Sequence, residues 1–366
     1  MTKSLAVFHD YFAIRGGGER LALTLANSLG ATLVHGYRTD DSYPEKDFPA
    51  ARRTLGFPSA LRHRGVRPLM LSALFAAHRY TARSFDVRIF SGVAAPFAAP
   101  PKNWGGVNIF YCHTPPRFLF DQRDYYLGTP AGLKLKVASA FESLYRRAAA
   151  RMHVVVANSE TTRARIRSYL GLESIVVYPP VDTHRFTWLG QGDYFLSTAR
   201  LTGLKRVDRI IDAFLQMPDK KLIVASGGED FEVLRAKAAG ARNIEFRGWV
   251  DDDGLVELIG RAIATIYVPK DEDFGISPVE SMAAGKPVIG VAQGGLIETI
   301  TDKTGTLIGP GFATSDLVGA VTAMTPQRAQ AMRTDCEERA NQFTRARFLA
   351  GMRAVVNSAT ELARND

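Results

Sequence analysis

Short apolar runs closed by Gly, Pro, Asn or Asp recur through this chain, and their spacing limits its possible folds more than any other feature. They fall at 5–8, 32–34, 87–90, 107–111, 154–157 and 175–178, and again at 194–197, 222–225, 244–246, 264–268, 287–291 and 306–308. Most are continuously apolar rather than alternating, which suits parallel strands covered on both faces. Between them lie stretches with helical spacing, such as 19–29 ending at Gly30 and 206–215 before Pro218. Strand–helix alternation predicts an α/β protein with doubly wound parallel sheets. A chain of 366 residues exceeds the roughly 250–300 at which single cores stop growing, so one sheet per half is expected. Tyr178-Pro-Pro-Val-Asp182 can continue neither a helix nor a central strand and marks the linker. The expected domains are therefore 1–180 and 181–344. The chain from about 326 reads as helices only, and a helix at about 345–366 is expected to pack back onto the first domain.

Hydrophobic content of 46% and charged content of 23% exclude a disordered chain, a collagen-like chain and a disulfide scaffold. The two cysteines, Cys112 and Cys336, stand far apart, which points to a reducing compartment. The N-terminal residues show no long apolar core with a small-residue cleavage site, so secretion is not expected. No apolar run is long enough to span a bilayer.

The net charge of +9 is unevenly placed. Residues 1–180 hold 24 Lys+Arg and 12 Asp+Glu, a net of +12, whereas residues 181–366 hold 22 and 25, a net of −3. No acidic residue lies between Asp47 and Asp86, while Arg52, Arg53, Arg62, Arg64, Arg67, Arg79 and Arg83 do. Phe57, Leu61, Leu69, Met70, Leu71, Leu74 and Phe75 are interleaved with them. Such a stretch suits an anionic membrane or a polyanionic ligand, and a solvated basic face accounts for it as well. Nucleic acid is not expected, because no recognised binding motif accompanies the charge.

Four motifs sit at the carboxyl ends of expected strands, where open α/β sheets bind ligands. Arg15-Gly-Gly-Gly-Glu-Arg20 opens a helix and offers close backbone approach and an anion-favouring helix N-terminus; a tight strand-to-helix turn explains the same glycines. Tyr111-Cys-His-Thr-Pro-Pro-Arg117 places His113 at a strand end, able to position a substrate hydroxyl. The other six histidines lack such a context, although His9 also ends a strand. In Ser197-Thr-Ala-Arg-Leu-Thr-Gly-Leu-Lys-Arg206, Arg200 and Lys205 form a cation pair suited to a diphosphate. The run from Lys270 to Ile289 carries Glu272 in a loop, then Gly275 at a ready anion site, and Glu280. Pro278 suits an early helical position, which puts Glu280 in the first turn. Asp251-Asp-Asp253 and Asp271-Glu-Asp273 have the acid-x-acid form of metal motifs but are read as ordinary loop residues.

Glu-Asp-Phe-Gly-Ile-Ser-Pro-Val-Glu-Ser-Met-Ala-Ala-Gly-Lys-Pro-Val-Ile, followed by Gly294-Gly-Leu-Ile-Glu298, resembles retaining glycosyltransferases of family 4. The resemblance covers essentially the whole chain and implies the GT-B architecture of two Rossmann-like domains with an interdomain cleft. It implies that Glu280 binds the nucleotide ribose and that Glu272 stands beside the donor sugar. Phe274, Gly275 and Ile276 match the loop whose amides meet the sugar and diphosphate. Arg200 and Lys205 match the pair that neutralises the leaving diphosphate, and Gly17 and Gly18 the glycine loop facing diphosphate and acceptor. His113 matches the histidine near the sugar hydroxyls, and Trp249 and Val250 lie in the region near the base. Two departures stand out: Arg206 where the family usually has glycine, and Ser281 where it usually has alanine.

The resemblance also implies front-face attack, with the leaving phosphate taking the acceptor proton. No metal or other cofactor is expected, because cations and amides can carry the developing negative charge. Together with Tyr-Cys-His-Thr-Pro-Pro-Arg, the motif looks most like bacterial polysaccharide mannosyltransferases. The expected donor is thus GDP-mannose and the expected acceptor a lipid-linked saccharide or oligosaccharide. The expected location is cytoplasmic, on the inner face of the plasma membrane, held through Arg52, Arg53, Arg62, Arg64 and Arg67. A UDP-sugar donor, a GT-B epimerase and a non-catalytic sugar-binding protein are the rival readings.

Overall fold

The computed structural model describes residues 4–63, 65–128 and 132–365, with side chains to 361. Arg64 lies outside the described residues. The chain divides into two compact units, one up to Tyr178 and again from Phe348 onward, the other Pro179–Arg347.

The first unit is built on seven strands: β1 (Leu5–His9), β2 (Thr32–His35), β3 (Arg52–Thr54), β4 (Val87–Ser91), β5 (Val107–Cys112), β6 (Val154–Ala157) and β7 (Ile175–Val176). Their order is β3-β2-β1-β4-β5-β6-β7, and every pairing is parallel. The central strands are buried along almost their whole length, which explains their continuously apolar sequence. Phe8, Phe90 and Phe110 pack on one face of the sheet. Val7, Ile89 and Ile109 pack on the other, where Phe348, Met352, Val355 and Ala359 of the last helix join them.

The second unit has six strands: β8 (Tyr194–Ser197), β9 (Lys221–Val224), β10 (Ile244–Phe246), β11 (Thr265–Tyr267), β12 (Val288–Val291) and β13 (Gly305–Ile308). They run parallel in the order β10-β9-β8-β11-β12-β13. In both sheets the order reverses beside the first strand, between β1 and β4 and between β8 and β11. These are the switch points at which such sheets take ligands.

One strand was not expected. β3 is short, exposed and made of Arg52, Arg53 and Thr54. A charged edge strand bears no apolar signature, because only its backbone is committed to the sheet, and its charge discourages further pairing. The basic stretch is thus an edge strand followed by a helix, Arg67–Ala77. Its arginines lie over aromatic rings: Arg53 over Phe85, Arg62 over Tyr37 and Arg67 over Tyr11. Among the interleaved apolar residues Phe57, Leu71 and Phe75 are core, whereas Leu69 and Met70 are exposed.

Candidate active site

In the second unit, the carboxyl ends of β10, β9, β8, β11 and β12 present different chemistries in sequence. Trp249 follows β10 and is 71% exposed. Its indole lies so close to Gly227, after β9, that a Cβ there would stand 2.3 Å from the ring nitrogen. Arg200 follows β8; its side chain is exposed and makes no hydrogen bond or ion pair among the described residues. Glu272 and Gly275 follow β11, and Gly294 follows β12. At ~4.8 Å per strand, this row runs about 14 Å from an exposed aromatic ring, past cations, to a carboxylate and a helix N-terminus.

Lys205, Tyr267 and Glu272 form its centre. The Lys205 ammonium donates to Glu272 Oε2 at 2.5 Å and to the Tyr267 hydroxyl at 2.8 Å. Tyr267 donates to the same Oε2 at 2.9 Å. Burial works against the lysine charge, but Tyr267 and Glu272 outweigh it and hold the ammonium above its ordinary range. Lys205 is therefore a fixed cation throughout the neutral range, and its carboxylate partner fixes where that cation sits.

The loop carrying Glu272 is shaped from behind. Gly294 has φ +62°, and a Cβ on it would fall 2.2 Å from the Glu272 carbonyl oxygen; one on Gly295 would fall 2.4 Å from Phe274 Cα. Gly295 N–H donates to the Glu272 carbonyl at 2.8 Å. Gly275 has φ +91° and caps the helix Ile276–Ala283 without a side chain, which leaves that helix end shaped for an anion. Phe274 is buried edge-on to Phe343, so its side chain anchors the loop. Ile276 and Glu280 are half-buried, and Val250 packs on the core just before the helix Asp252–Arg261. The helix Ile276–Ala283 begins two residues before Pro278, which moves Glu280 from the expected first turn into the second.

Both departures from the family pattern have a structural account. Arg206 takes the left-handed backbone that favours glycine, at φ 52° and ψ 36°, which costs on the order of 1 kcal/mol. Its guanidinium donates to the carbonyls of Val268 at 2.6 Å and Pro269 at 2.7 Å, and lies 5.0 Å from the Phe312 ring centroid. It thereby ties the Lys205 turn to the start of the Glu272 loop. Ser281 is buried and fully paired, accepting from Thr265 Oγ1 at 2.8 Å and donating to the Lys286 carbonyl at 3.1 Å.

The first unit presents a pair of linked imidazoles. His9 ends β1, Ser91 ends β4 and His113 follows β5, and the parallel register aligns His9 with Ser91. Ser91 Oγ is 2.8 Å from His113 Nε2 and 3.2 Å from His9 Nδ1. Burial lowers His113 to about 4 and, with His113 and His35 nearby, His9 to about 3. Both rings are therefore neutral at pH 7, and one shared hydroxyl ties their orientations together. Gly16 caps the helix Gly17–Leu29, and a Cβ on Gly18 would contact the His113 ring at 3.6 Å. Asp10, one residue past β1, accepts from the backbone N–H groups of Val93, Ala94 and Ala95 at 2.7–2.8 Å. Burial raises it to about 6 despite those amides. Burial likewise raises Glu19, in the first helical turn, to about 7. His9 and Asp10 were not singled out from the sequence, although the strand-end position that drew attention to His113 applies to both.

The acidic triplets have local duties. Asp251 caps the helix Asp252–Arg261 by accepting from Gly254 N–H at 2.8 Å, with Asp252 and Asp253 in its first turn. Asp271 accepts from Gln293. Among the described residues, no group of three or more His, Cys, Asp or Glu side chains is gathered to hold a metal ion.

Known proteins share this organisation. Residues 15–185 match the model for Glycosyltransferase Family 4, and residues 184–343 the model for Glycosyl transferases group 1. The chain is 26% identical to a GDP-mannose-dependent alpha-(1-6)-phosphatidylinositol monomannoside mannosyltransferase of Mycobacterium tuberculosis, over 91% of each protein. It is 25% identical to an alpha-1,3/1,6-mannosyltransferase of Dictyostelium discoideum, over 84% of this chain and 86% of that one. Among solved structures, Anabaena HepE in complex with UDP and glucose superposes with a TM-score of 0.74 at 18% identity, covering 98% of this chain and all of that one. With two parallel-sheet units and two family models that between them span residues 15–343, the chain belongs to glycosyltransferase family 4 and has the GT-B fold.

Proposed function

We propose that the protein is a retaining mannosyltransferase that moves mannose from GDP-mannose to a lipid-linked saccharide acceptor in polysaccharide assembly. The ordered row on the second unit carries this reading. Trp249 offers a stacking face for a base, and Arg200 and Lys205 offer charge for a diphosphate. Glu280 serves the ribose, and Glu272 with the Gly275–Ile276 backbone serves the sugar. In the first unit, His113 beside Gly18, at the helix start formed by Gly17 and Gly18, offers a neutral imidazole for sugar hydroxyls. Cleavage of the sugar–phosphate bond places negative charge on the departing diphosphate, which the cations and the helix N-terminus stabilise. These groups make a metal unnecessary. Mannose and guanosine rest on the mannosyltransferase relatives, while the UDP and glucose bound by HepE favour a UDP-sugar as the second reading.

Thermal-shift measurements with GDP-mannose, UDP-glucose and ADP-glucose separate the two, because a ligand that binds only the folded state raises Tm. A response to uridine and not to guanosine nucleotides would overturn the donor assignment.

No helix among the described residues is long and apolar enough to cross a membrane. The proposal places the protein on the cytoplasmic membrane surface. Leu69 and Met70 are exposed beside Arg67, and Leu133, Leu135 and Val137 are exposed beside Lys134 and Lys136, a combination suited to anionic lipid. Flotation with phosphatidylcholine vesicles, with and without phosphatidylglycerol, tests it; equal partitioning counts against it.

A further inference from the structure

A pocket of about 580 Å3 opens in the first unit at the carboxyl ends of β2 and β3. Its charge comes from Arg38, Arg52 and Arg62, against which Glu45 is the one lining carboxylate. Two of the guanidiniums lie over rings. Arg38 lies 4.6 Å from the Phe48 centroid and Arg62 lies 4.3 Å from that of Tyr37. A cation–π contact of this kind restrains the guanidinium before any ligand arrives.

Two polar atoms there are buried and unpaired: Nε of Arg62 and Nδ1 of His35. His35 is 5% exposed and lines the pocket, and burial, with Arg52 and Arg38 nearby, lowers it to about 4. Glu45 bonds both Arg38 and Arg52, yet its side chain is 61% exposed. It is therefore a displaceable counter-ion, and a more highly charged anion can take its place.

We infer that this pocket binds a phosphate or carboxylate group carried on a saccharide. A bare phosphate leaves most of the volume empty, whereas a phosphate or carboxylate carried on a sugar ring fills it against the aromatic walls. The saccharide is the acceptor if the transferase reading above holds, and the inference rests on that reading only for this role.

The test is titration calorimetry of the full chain at low ionic strength with mannose 6-phosphate, glucuronate and mannose. The expected result is that both anionic sugars bind about tenfold or more tightly than mannose. Arg52→Gln combined with Arg62→Gln should lose at least about tenfold in that binding, with Tm as the folding control. Glu45→Gln should bind a few-fold more tightly, because it releases both guanidiniums. Lys205→Ala should leave anionic-sugar binding unchanged.

Anionic sugars that bind no better than mannose overturn the inference, as does binding that survives the double variant or disappears in Lys205→Ala. A parallel arm offers vesicles of phosphatidylcholine with phosphatidylglycerol. If the double variant loses vesicle binding but keeps sugar-phosphate binding, the anion is a lipid headgroup and the saccharide assignment is wrong. GDP and UDP titrations run alongside. If neither binds while the pocket behaves as expected, the transferase reading fails and the pocket stands.

Discussion

The two sheets share strand order, strand direction and the position of their switch points, yet their carboxyl ends are furnished in opposite ways. At the β1/β4 switch point, the polar groups are buried or half-buried and already hydrogen-bonded: the His9 and His113 imidazoles, uncharged at neutral pH, share the Ser91 hydroxyl, and Asp10 is closed off by three amides. At the β8/β11 switch point the groups are partly exposed and charged, with Lys205 held by Glu272 and Arg200 without a side-chain partner among the described residues. The first arrangement gives shape and hydrogen-bond direction. The second gives charge that an anionic ligand can claim. One fold thus supports two electrostatic regimes, set by a few strand-end residues rather than by the scaffold.

Replacing Lys205 by Ala should break the charged side most severely, with transfer falling on the order of a hundredfold or more, as when a preorganised charge-stabilising donor is lost. Steady-state release of nucleoside diphosphate measures this, and turnover near that of the wild type would remove Lys205 from the site. On the neutral side the loss should be smaller. Ser91→Ala frees both imidazoles to rotate and should lower kcat about tenfold, less than His113→Ala. If Ser91→Ala matches wild type while His113→Ala does not, the shared hydroxyl does not position the ring.

The buried carboxylates sharpen the contrast through pH. Glu19 keeps its proton to about 7 in the folded chain, against 4.5 for the free side chain. Between those values the unfolded chain has lost a proton that the folded chain retains, so stability falls as pH rises through this window. Glu19→Gln should abolish that fall, gaining on the order of 3 kcal/mol over wild type at about pH 7.5 and nothing at about pH 4. His9 and His113 act with the opposite sign, because their lowered values make the unfolded chain the better proton acceptor below 6.5. Denaturant midpoints across this range separate the two contributions.

The smallest effect belongs to Arg206. Arg206→Gly relieves the left-handed backbone but gives up the carbonyl contacts of Val268, Pro269 and Pro310, so stability should change by less than about 1 kcal/mol. Arg206→Ala keeps the strain without the contacts and should be the worse of the two. If the two variants have equal Tm, the backbone account of this position is wrong.

Continuous apolar runs made the parallel strands legible, because strands buried on both faces have nowhere to place polar residues. β3 was not legible, since Arg52, Arg53 and Thr54 contribute only backbone to the sheet. Glycines at positive φ read well as loop positions, Gly275 and Gly294 among them. Tyr267 did not: it reads as one more aromatic strand residue, and only the fold brings its hydroxyl to Lys205 and Glu272. The link from His9 to His113 through Ser91 depends on strand register, which no single run contains.

The seating of Gly294 and Gly295 against the backbone of Glu272 and Phe274 bears on how this enzyme can be re-engineered. The two segments interlock main chain to main chain, with no side chain between them to absorb a mismatch. Transplanting the 270–276 segment from a relative with another sugar preference would set new backbone against an old mould. The smallest exchangeable part is therefore the pair of loops, cut together at the ends of β11 and β12.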